Sequence, residues 1–258
     1  MPSALPTTTC TTSPAPSPNS HPPSPPSATS PTYAVLVSIF QLHSLTVKSV
    51  EHADLACGTG RYSRLLLSLG ARSVLGIDIS RVMISGAQEA SLHEPRLKYK
   101  VADCSKPLAW NQEMEGDFDL VFAAWFLNYA SSRSSMLQMW QNIHDSLRPG
   151  GRFVGIVPNV EMSMAEPLLD HYGSDVVPVE RVEEGWKCRL TAHTEPPVVF
   201  EIYHLDKKVY EGCAEKAGMR DMKWIRPVLP DDERRGTSYW DKFMERAPFL
   251  VCTAVRSE

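Results

Sequence analysis

Three acids and one glycine loop hold the residue types in this 258-residue chain that could do chemistry together. The stretch Asp54-Leu55-Ala56-Cys57-Gly58-Thr59-Gly60 lies where a strand should end and a helical period begins. Glycines at 58 and 60 permit a tight turn and close approach of a ligand to the backbone, while the helix N-terminus behind them offers unpaired N–H groups. Asp78 follows 18 residues after Gly60, at the end of Leu75-Gly76-Ile77-Asp78. A carboxylate placed there can accept both hydroxyls of a ribose. Asp103 closes a third run, Val101-Ala102-Asp103-Cys104, within reach of an adenine amino group. A nicotinamide dinucleotide is the first rival ligand, because Gly58-Thr59-Gly60-Arg61-Tyr62-Ser63 falls one glycine short of G-x-G-x-x-G. Each acid also has a structural reading: Asp54 at a helix entry, Asp78 as partner of an N-cap, Asp103 as a turn former. Three acids at three successive strand ends favour a ligand, since ligands of open α/β sheets gather at the carboxyl ends of strands.

The elements that must position these groups are legible in the apolar spacing. Short apolar runs at 73–79, 97–104, 118–125 and 152–158 alternate with helical periods, the pattern of βαβ units around a parallel sheet. Tyr62, Leu65, Leu66 and Leu69 predict a helix closed by Gly70; Met136, Met139, Trp140, Ile143 and Leu147 predict another, stopped by Arg148-Pro149-Gly150-Gly151. Tyr210, Cys213, Ala214 and Ala217 repeat the pattern before Gly218. Such stripes are assigned to packing. Residues 159–198 show no clear period and read as an insertion; the rhythm resumes with a strand at 198–204, a helix at 206–217 and two late strands at 222–229 and 249–255. With only a loop between them, the late strands suit an antiparallel hairpin ending an otherwise parallel sheet. Leu97, Tyr99 and Val101 alternate with Lys98 and Lys100, which marks a half-exposed strand.

Taken together, these motifs resemble class I S-adenosylmethionine-dependent methyltransferases. D-L-A-C-G-T-G, G-I-D-I-S, A-D-C, F-D-L-V-F-A-A and L-R-P-G-G-R-F occur in the family's order over about residues 53–255. The stretch F-D-L-V-F-A-A-W-F-L-N-Y-A is similar to a small-molecule subgroup that includes toxoflavin synthase. The resemblance implies a methyltransferase domain over residues 48–258, with the insertion at 159–198 on its substrate side. Its fold would be a Rossmann-like, seven-stranded, mostly parallel sheet of order 3-2-1-4-5-7-6, with helices on both faces and an antiparallel last strand. It also implies S-adenosyl-L-methionine as cofactor. Asp54, Ala56, Cys57, Gly58 and Gly60 would surround the methionine part, Asp78 would hold the ribose with Ile79 beside it, and Asp103 and the Cys104 N–H would read adenine. Ala123 and Ala124 would lie near the amino-acid end.

Substrate-side candidates follow strand four: Trp125 and Phe126, which suit a core equally well, then Asn128 and Tyr129. An amine nucleophile need only arrive deprotonated, whereas a phenol or hydroxyl benefits from a base. Tyr129, Asn128 and His204 are the catalytic candidates, with His171 and Tyr172 as further possible bases. The N-P-P-Y motif by which amino-directed nucleic-acid methyltransferases resemble one another is replaced by Ala124-Trp125-Phe126-Leu127, and no acidic metal cluster is evident. The expected reaction is metal-independent methylation of N or O on a small metabolite. The alternatives are a catalytically impaired cofactor-binding protein and a NAD(P)-dependent oxidoreductase.

Composition narrows partners and compartment. The chain has 26 basic and 30 acidic residues, a net charge of -4, and no Lys/Arg stripe, so no nucleic-acid partner is expected. The apolar stretch at 33–40 is too short to span a bilayer, and no membrane association is expected. Six scattered cysteines without metal-ligand spacing, and the lack of a secretory or mitochondrial signal, point to a reduced cytoplasmic setting. Residues 1–31 hold 10 of the 21 prolines, and no charged residue precedes Lys48, so residues 1–47 are expected to be disordered or poorly structured. Relatives in the family keep a helical lid here. Residues 1–52 are therefore expected to come from a divergent or misassigned gene start that leaves the lid incomplete. Glu51-His52 also interrupts the first strand, where an unpaired buried glutamate would cost several kcal/mol.

Overall fold

A computed structural model of the chain describes residues 50–108, 117–229 and 233–258. The leader, with its expected disorder, lies outside the described residues. Strand β1 (Glu51–Leu55) runs through the glycine loop into α1 (Arg61–Ser68), followed by β2 (Ser73–Asp78), α2 (Arg81–Glu89) and β3 (Leu97–Val101). Strand β4 (Phe118–Ala124) leads through a short 3-10 turn, Leu127–Tyr129, into α3 (Arg133–Ser146) and the long β5 (Leu147–Pro158). Next come β6 (Ser174–Val182), β7 (Gly185–Ala192), β8 (Val198–Leu205), α4 (Lys207–Lys216), β9 (Met219–Ile225), α5 (Asp241–Glu245) and β10 (Phe249–Arg256).

Seven strands form one sheet in the order β3-β2-β1-β4-β5-β10-β9. Strands β1 to β5 pair in parallel, and β10 runs antiparallel to both β5 and β9. Counted within this sheet the order is 3-2-1-4-5-7-6, as the resemblance implies, and β3 is the edge strand that its alternation predicts. A dinucleotide-binding sheet follows strand five with a sixth strand. Here an antiparallel strand is wedged in that position instead, which separates the fold from the nicotinamide rival.

Both faces of the sheet are covered, so its central strands carry apolar residues without alternation. Val121 and Ala123 of β4 join one core cluster, with Met136, Met139 and Trp140 of α3 and Val209, Tyr210 and Cys213 of α4. Leu120, Phe122 and Ala124 join the opposite cluster, with Leu65 and Leu66 of α1 and with Trp240 and Phe243 near the C-terminus. Trp140 meets Phe153 edge-on at 4.9 Å between ring centroids. The stripes read from sequence are thus core, as their spacing predicts.

Two expectations need correction. Residues 159–198 contain the regular strands β6 and β7, which pair antiparallel with β8 in a separate three-stranded sheet. Alternation is masked because Val176, Cys188, Leu190, Phe200 and Ile202 pack inward while Val177, Val179, Val198 and Val199 are exposed. Apolar residues on both faces erase the period of two. Nor does Glu51 incur the penalty expected of it. It opens β1 half-buried, with its backbone N–H donating to Asp119 Oδ2 at 3.0 Å, and the residue that is wholly buried is His52. Among the described residues no helix is long and apolar enough to cross a membrane. The five described cysteines are free and buried.

Candidate active site

Asp54 lies inside β1, 1% exposed, and its Oδ2 accepts a hydrogen bond from Ser63 Oγ at 2.5 Å. Its Oδ1 has no partner among the described residues. Burial pushes the carboxyl up to about 7 against the pull of the Ser63 hydroxyl, and the charge of Asp78 adds to the rise. Ser63 stands where a dinucleotide fingerprint would have its third glycine, so the missing glycine here becomes the donor that holds Asp54. The loop beyond is left-handed at Ala56 (φ 57), Gly58 (φ 54) and Gly60 (φ 71). Cys57 N–H is tied to Ile77 O at 3.0 Å and Gly60 N–H to Cys57 O at 3.0 Å. A side chain added at Gly58 would enter open space, whereas Gly60 is packed against Tyr99. Gly60 gives α1 no side-chain cap, and the first turn has no acid, so the first N–H groups of the helix are left without a side-chain acceptor from the cap.

Asp78 accepts from Gly58 N–H through Oδ2 and from Ser80 N–H through Oδ1, both at 2.8 Å. It therefore pins the loop and supports the cap of α2 while each oxygen keeps a second lone pair. Ile79, directly after it, is 65% exposed. Asp103 behaves as a turn former: Oδ1 accepts from Ser105 N–H (3.0 Å) and Oγ (2.6 Å), and Oδ2 lies 3.2 Å from Lys106 Nζ. Burial would raise its carboxyl, but Ser105 and Lys106 prevail and hold it below the usual range. Cys104 is buried and its thiol is pushed up to about 12 by desolvation; desolvation drives Cys57 higher still, so both stay protonated. The side chain of Ala123 lies in the core, 1% exposed, which leaves only its backbone to meet a ligand.

Past β4, Trp125 adopts a left-handed backbone (φ 60) and its indole borders a cavity of about 380 Å³. Asn128 and Tyr129 line the cavity from the 3-10 turn, and Met162, Met164, Leu168, His171 and Tyr172 line it from the segment after β5. Leu190, Phe200, Ile202 and His204 of the second sheet and Phe243, Pro248 and Phe249 complete most of its wall. Among the described residues no Asp, Glu, Lys or Arg contributes. Phe126, by contrast, is core.

The catalytic candidates thus share one cavity. Asn128 is 2% exposed, with Oδ1 unpartnered among the described residues. Tyr129 is 48% exposed; the partial desolvation of its hydroxyl raises it, and the charge of Asp78 adds to the rise. His204 Nε2 lies 2.9 Å from Asn159 O. A carbonyl only accepts, so Nε2 carries the proton and Nδ1 keeps the lone pair. Burial pushes this imidazole down to about 4. Tyr172 is no base: its hydroxyl donates to Tyr239 O at 2.6 Å and accepts from Phe243 N–H at 3.2 Å.

Sequence reasoning missed Asn142 of α3. Its Nδ2 donates to Cys104 O and Lys106 O, both at 2.7 Å, and its Oδ1 accepts from Leu108 N–H at 3.2 Å, fixing the loop after β3. The signal was an amide set beside Met139 and Ile143 in an otherwise apolar stripe.

A family model of the methyltransferase domain matches residues 53–151. Ribosomal protein L11 methyltransferase of Burkholderia orbicola (strain MC0-3) is 29% identical over 137 residues, covering 52% of this chain and 40% of that protein. The mRNA cap guanine-N(7) methyltransferase of Caenorhabditis briggsae is 32% identical over 124 residues, covering 45% of this chain and 33% of that protein. The chain spans under half the length of either relative. Among solved structures, an S-adenosylmethionine dependent methyltransferase from Mesorhizobium loti superposes with a TM-score of 0.62 at 23% identity, covering 88% of this chain and all of that one. The chain therefore has the class I S-adenosylmethionine-dependent methyltransferase fold, with a matched methyltransferase domain at its glycine loop and the four strands around it.

Proposed function

We propose that the chain transfers a methyl group from S-adenosylmethionine to nitrogen or oxygen of a small, uncharged metabolite, without a metal. The observation that carries this reading is the cavity beyond β4, where Asn128, Tyr129 and His204 stand among apolar side chains with no Asp, Glu, Lys or Arg among the described lining residues. The glycine loop suits a nucleoside with a cationic amino-acid tail. Asp54 keeps a free, buried Oδ1, Gly58 faces open space, and Ile79 offers an exposed apolar surface beside Asp78. On this reading Asp54 and residues 56–60 hold the methionine end, Asp78 the ribose, and Asp103 with the Cys104 N–H the adenine. Ala123 contributes through its backbone alone. When bound, S-adenosylmethionine supplies an electrophilic methyl group on a sulfonium.

The rest of the work falls to the chain's own side chains. Asn128 Oδ1 accepts an N–H or O–H of the nucleophile and so fixes the direction of its lone pair. Tyr129 stays protonated and donates. His204 is neutral at pH 7, and with its pKa near 4 it positions the substrate better than it abstracts a proton. The apolar wall excludes water. The named substrates of the two relatives are a ribosomal protein and an mRNA cap, but most of the cavity wall lies beyond residue 158, outside the matched domain. The test is methyl transfer from tritiated S-adenosylmethionine to a panel of uncharged phenols, amines and heterocycles. Label in an organic-soluble product is expected; label transferred only to protein or RNA would overturn the substrate class.

A further inference from the structure

His171 is a second unsatisfied polar group in the cavity wall. It is 7% exposed, and its Nε2 has no partner among the described residues. Leaving a buried ring nitrogen unpaired is costly. The backbone around it adds strain, since Asp170 (φ 48), Tyr172 (φ 52) and Gly173 (φ 84) are all left-handed and two of them are not glycine. Such a conformation persists only where neighbours over-determine it. Here His171 N–H donates to Ser174 O at 2.8 Å, Asp170 N–H to Asp175 Oδ1 at 2.7 Å, and Lys242 Nζ to Asp170 O at 3.0 Å. The Tyr172 hydroxyl bonds on both sides complete the anchorage. The turn holds the imidazole at the cavity wall and prevents it from leaving to find a partner.

We infer that His171 is the specificity-determining contact of the cavity, hydrogen-bonding a polar group on an uncharged aromatic substrate whose second polar group meets Asn128 Oδ1. Trp125, Phe200, Phe243 and Phe249, with the thioethers of Met162 and Met164, favour an aromatic face over an aliphatic one. Among the described residues the wall holds no Asp, Glu, Lys or Arg, which disfavours carboxylates and phosphates, since they would enter unpaired. The inference rests on the methyltransferase reading for which group reacts, and not for the contact itself.

Calorimetry on the full chain, with 2-naphthol, 2,6-dihydroxynaphthalene and 6-hydroxy-2-naphthoate as probes, tests it. The second hydroxyl is expected to improve affinity about tenfold, the worth of one well-made buried hydrogen bond, and the carboxylate to weaken it by at least about tenfold. In His171→Phe the gain from the second hydroxyl disappears while 2-naphthol binds as before; in His171→Gln part of the gain returns. No gain in the parent protein, or an undiminished gain in His171→Phe, overturns the inference. If His171→Phe also loses 2-naphthol, His171→Gln decides: a retained gain supports the contact and a lost one overturns it. S-adenosylhomocysteine is titrated into the same proteins. Naphthol binding as described without S-adenosylhomocysteine binding overturns the methyltransferase reading alone, and the converse overturns the His171 contact alone.

Discussion

Replacing Asp54 with Asn should stabilise the unliganded protein above neutral pH while weakening cofactor binding. The Asp54 carboxyl is raised from 3.8 to about 7, chiefly by burial, with the Ser63 hydroxyl opposing and the charge of Asp78 adding. Because the folded value lies above the unfolded one, this group's contribution to stability is full below about pH 4 and is lost as the pH rises to about 7. A shift of roughly three units corresponds to on the order of 4 kcal/mol by pH 8. Asn does not titrate, and its carbonyl can still accept from Ser63. Urea unfolding of the two proteins should therefore diverge with pH, the variant gaining on the parent by on the order of 2 kcal/mol from pH 4 to 5.5 and roughly twice that by pH 8. His204 acts with the opposite sign, its folded value depressed from 6.5 to about 4, so its contribution is lost as the pH falls below about 6.5. That term is common to both proteins and cancels in the difference. A difference that is constant with pH, or that shrinks as pH rises, refutes the reasoning. Ligand binding gives the matching half. A cationic amino-acid tail beside Oδ1 favours the carboxylate, so at pH 6 binding of S-adenosylhomocysteine should release about one proton from the parent and none from the variant at this site, measured as buffer-dependent heat.

Other substitutions follow from single observations. Ala56 holds a left-handed backbone at φ 57, so Ala56→Gly should stabilise the chain by about 0.5–1 kcal/mol in chemical denaturation, the relief of strain exceeding the added chain entropy; a net loss would count against it. A Cβ at Gly185 would overlap the backbone of His204 and Leu205, so Gly185→Ala should cost roughly 1–3 kcal/mol and loosen the cavity wall, seen as faster amide exchange in β7 and β8. Asn142→Ala removes three hydrogen bonds from the loop after β3. It should destabilise the chain by about 2 kcal/mol and weaken adenosine-containing ligands more than methionine, by competition binding.

What the sequence disclosed and what it concealed have separate physical causes. Asp78 was legible because it ends an apolar run in a sheet buried on both faces, where polar residues stand out, and Asp54 because it opens the glycine loop. The second sheet was concealed because Val177, Val179, Val198 and Val199 are apolar yet exposed. His171 was legible as a candidate base, but the left-handed turn that fixes it was hinted at only by Gly173 and weakly by Asp170, since Tyr172 carries no such signal. Asn142 stands out locally as an amide in an apolar stripe, but its three backbone partners lie far away in sequence and no local pattern encodes them.

The central claim is that the β1–α1 loop, Asp54 and Asp78 hold S-adenosylmethionine. Calorimetric titration of the full chain with S-adenosylhomocysteine, alongside NAD, tests it most directly. The account predicts saturable one-to-one binding of S-adenosylhomocysteine that is lost in Asp78→Ala, and no heat with NAD. Binding of NAD in its place, or S-adenosylhomocysteine binding that Asp78→Ala leaves intact, would contradict it.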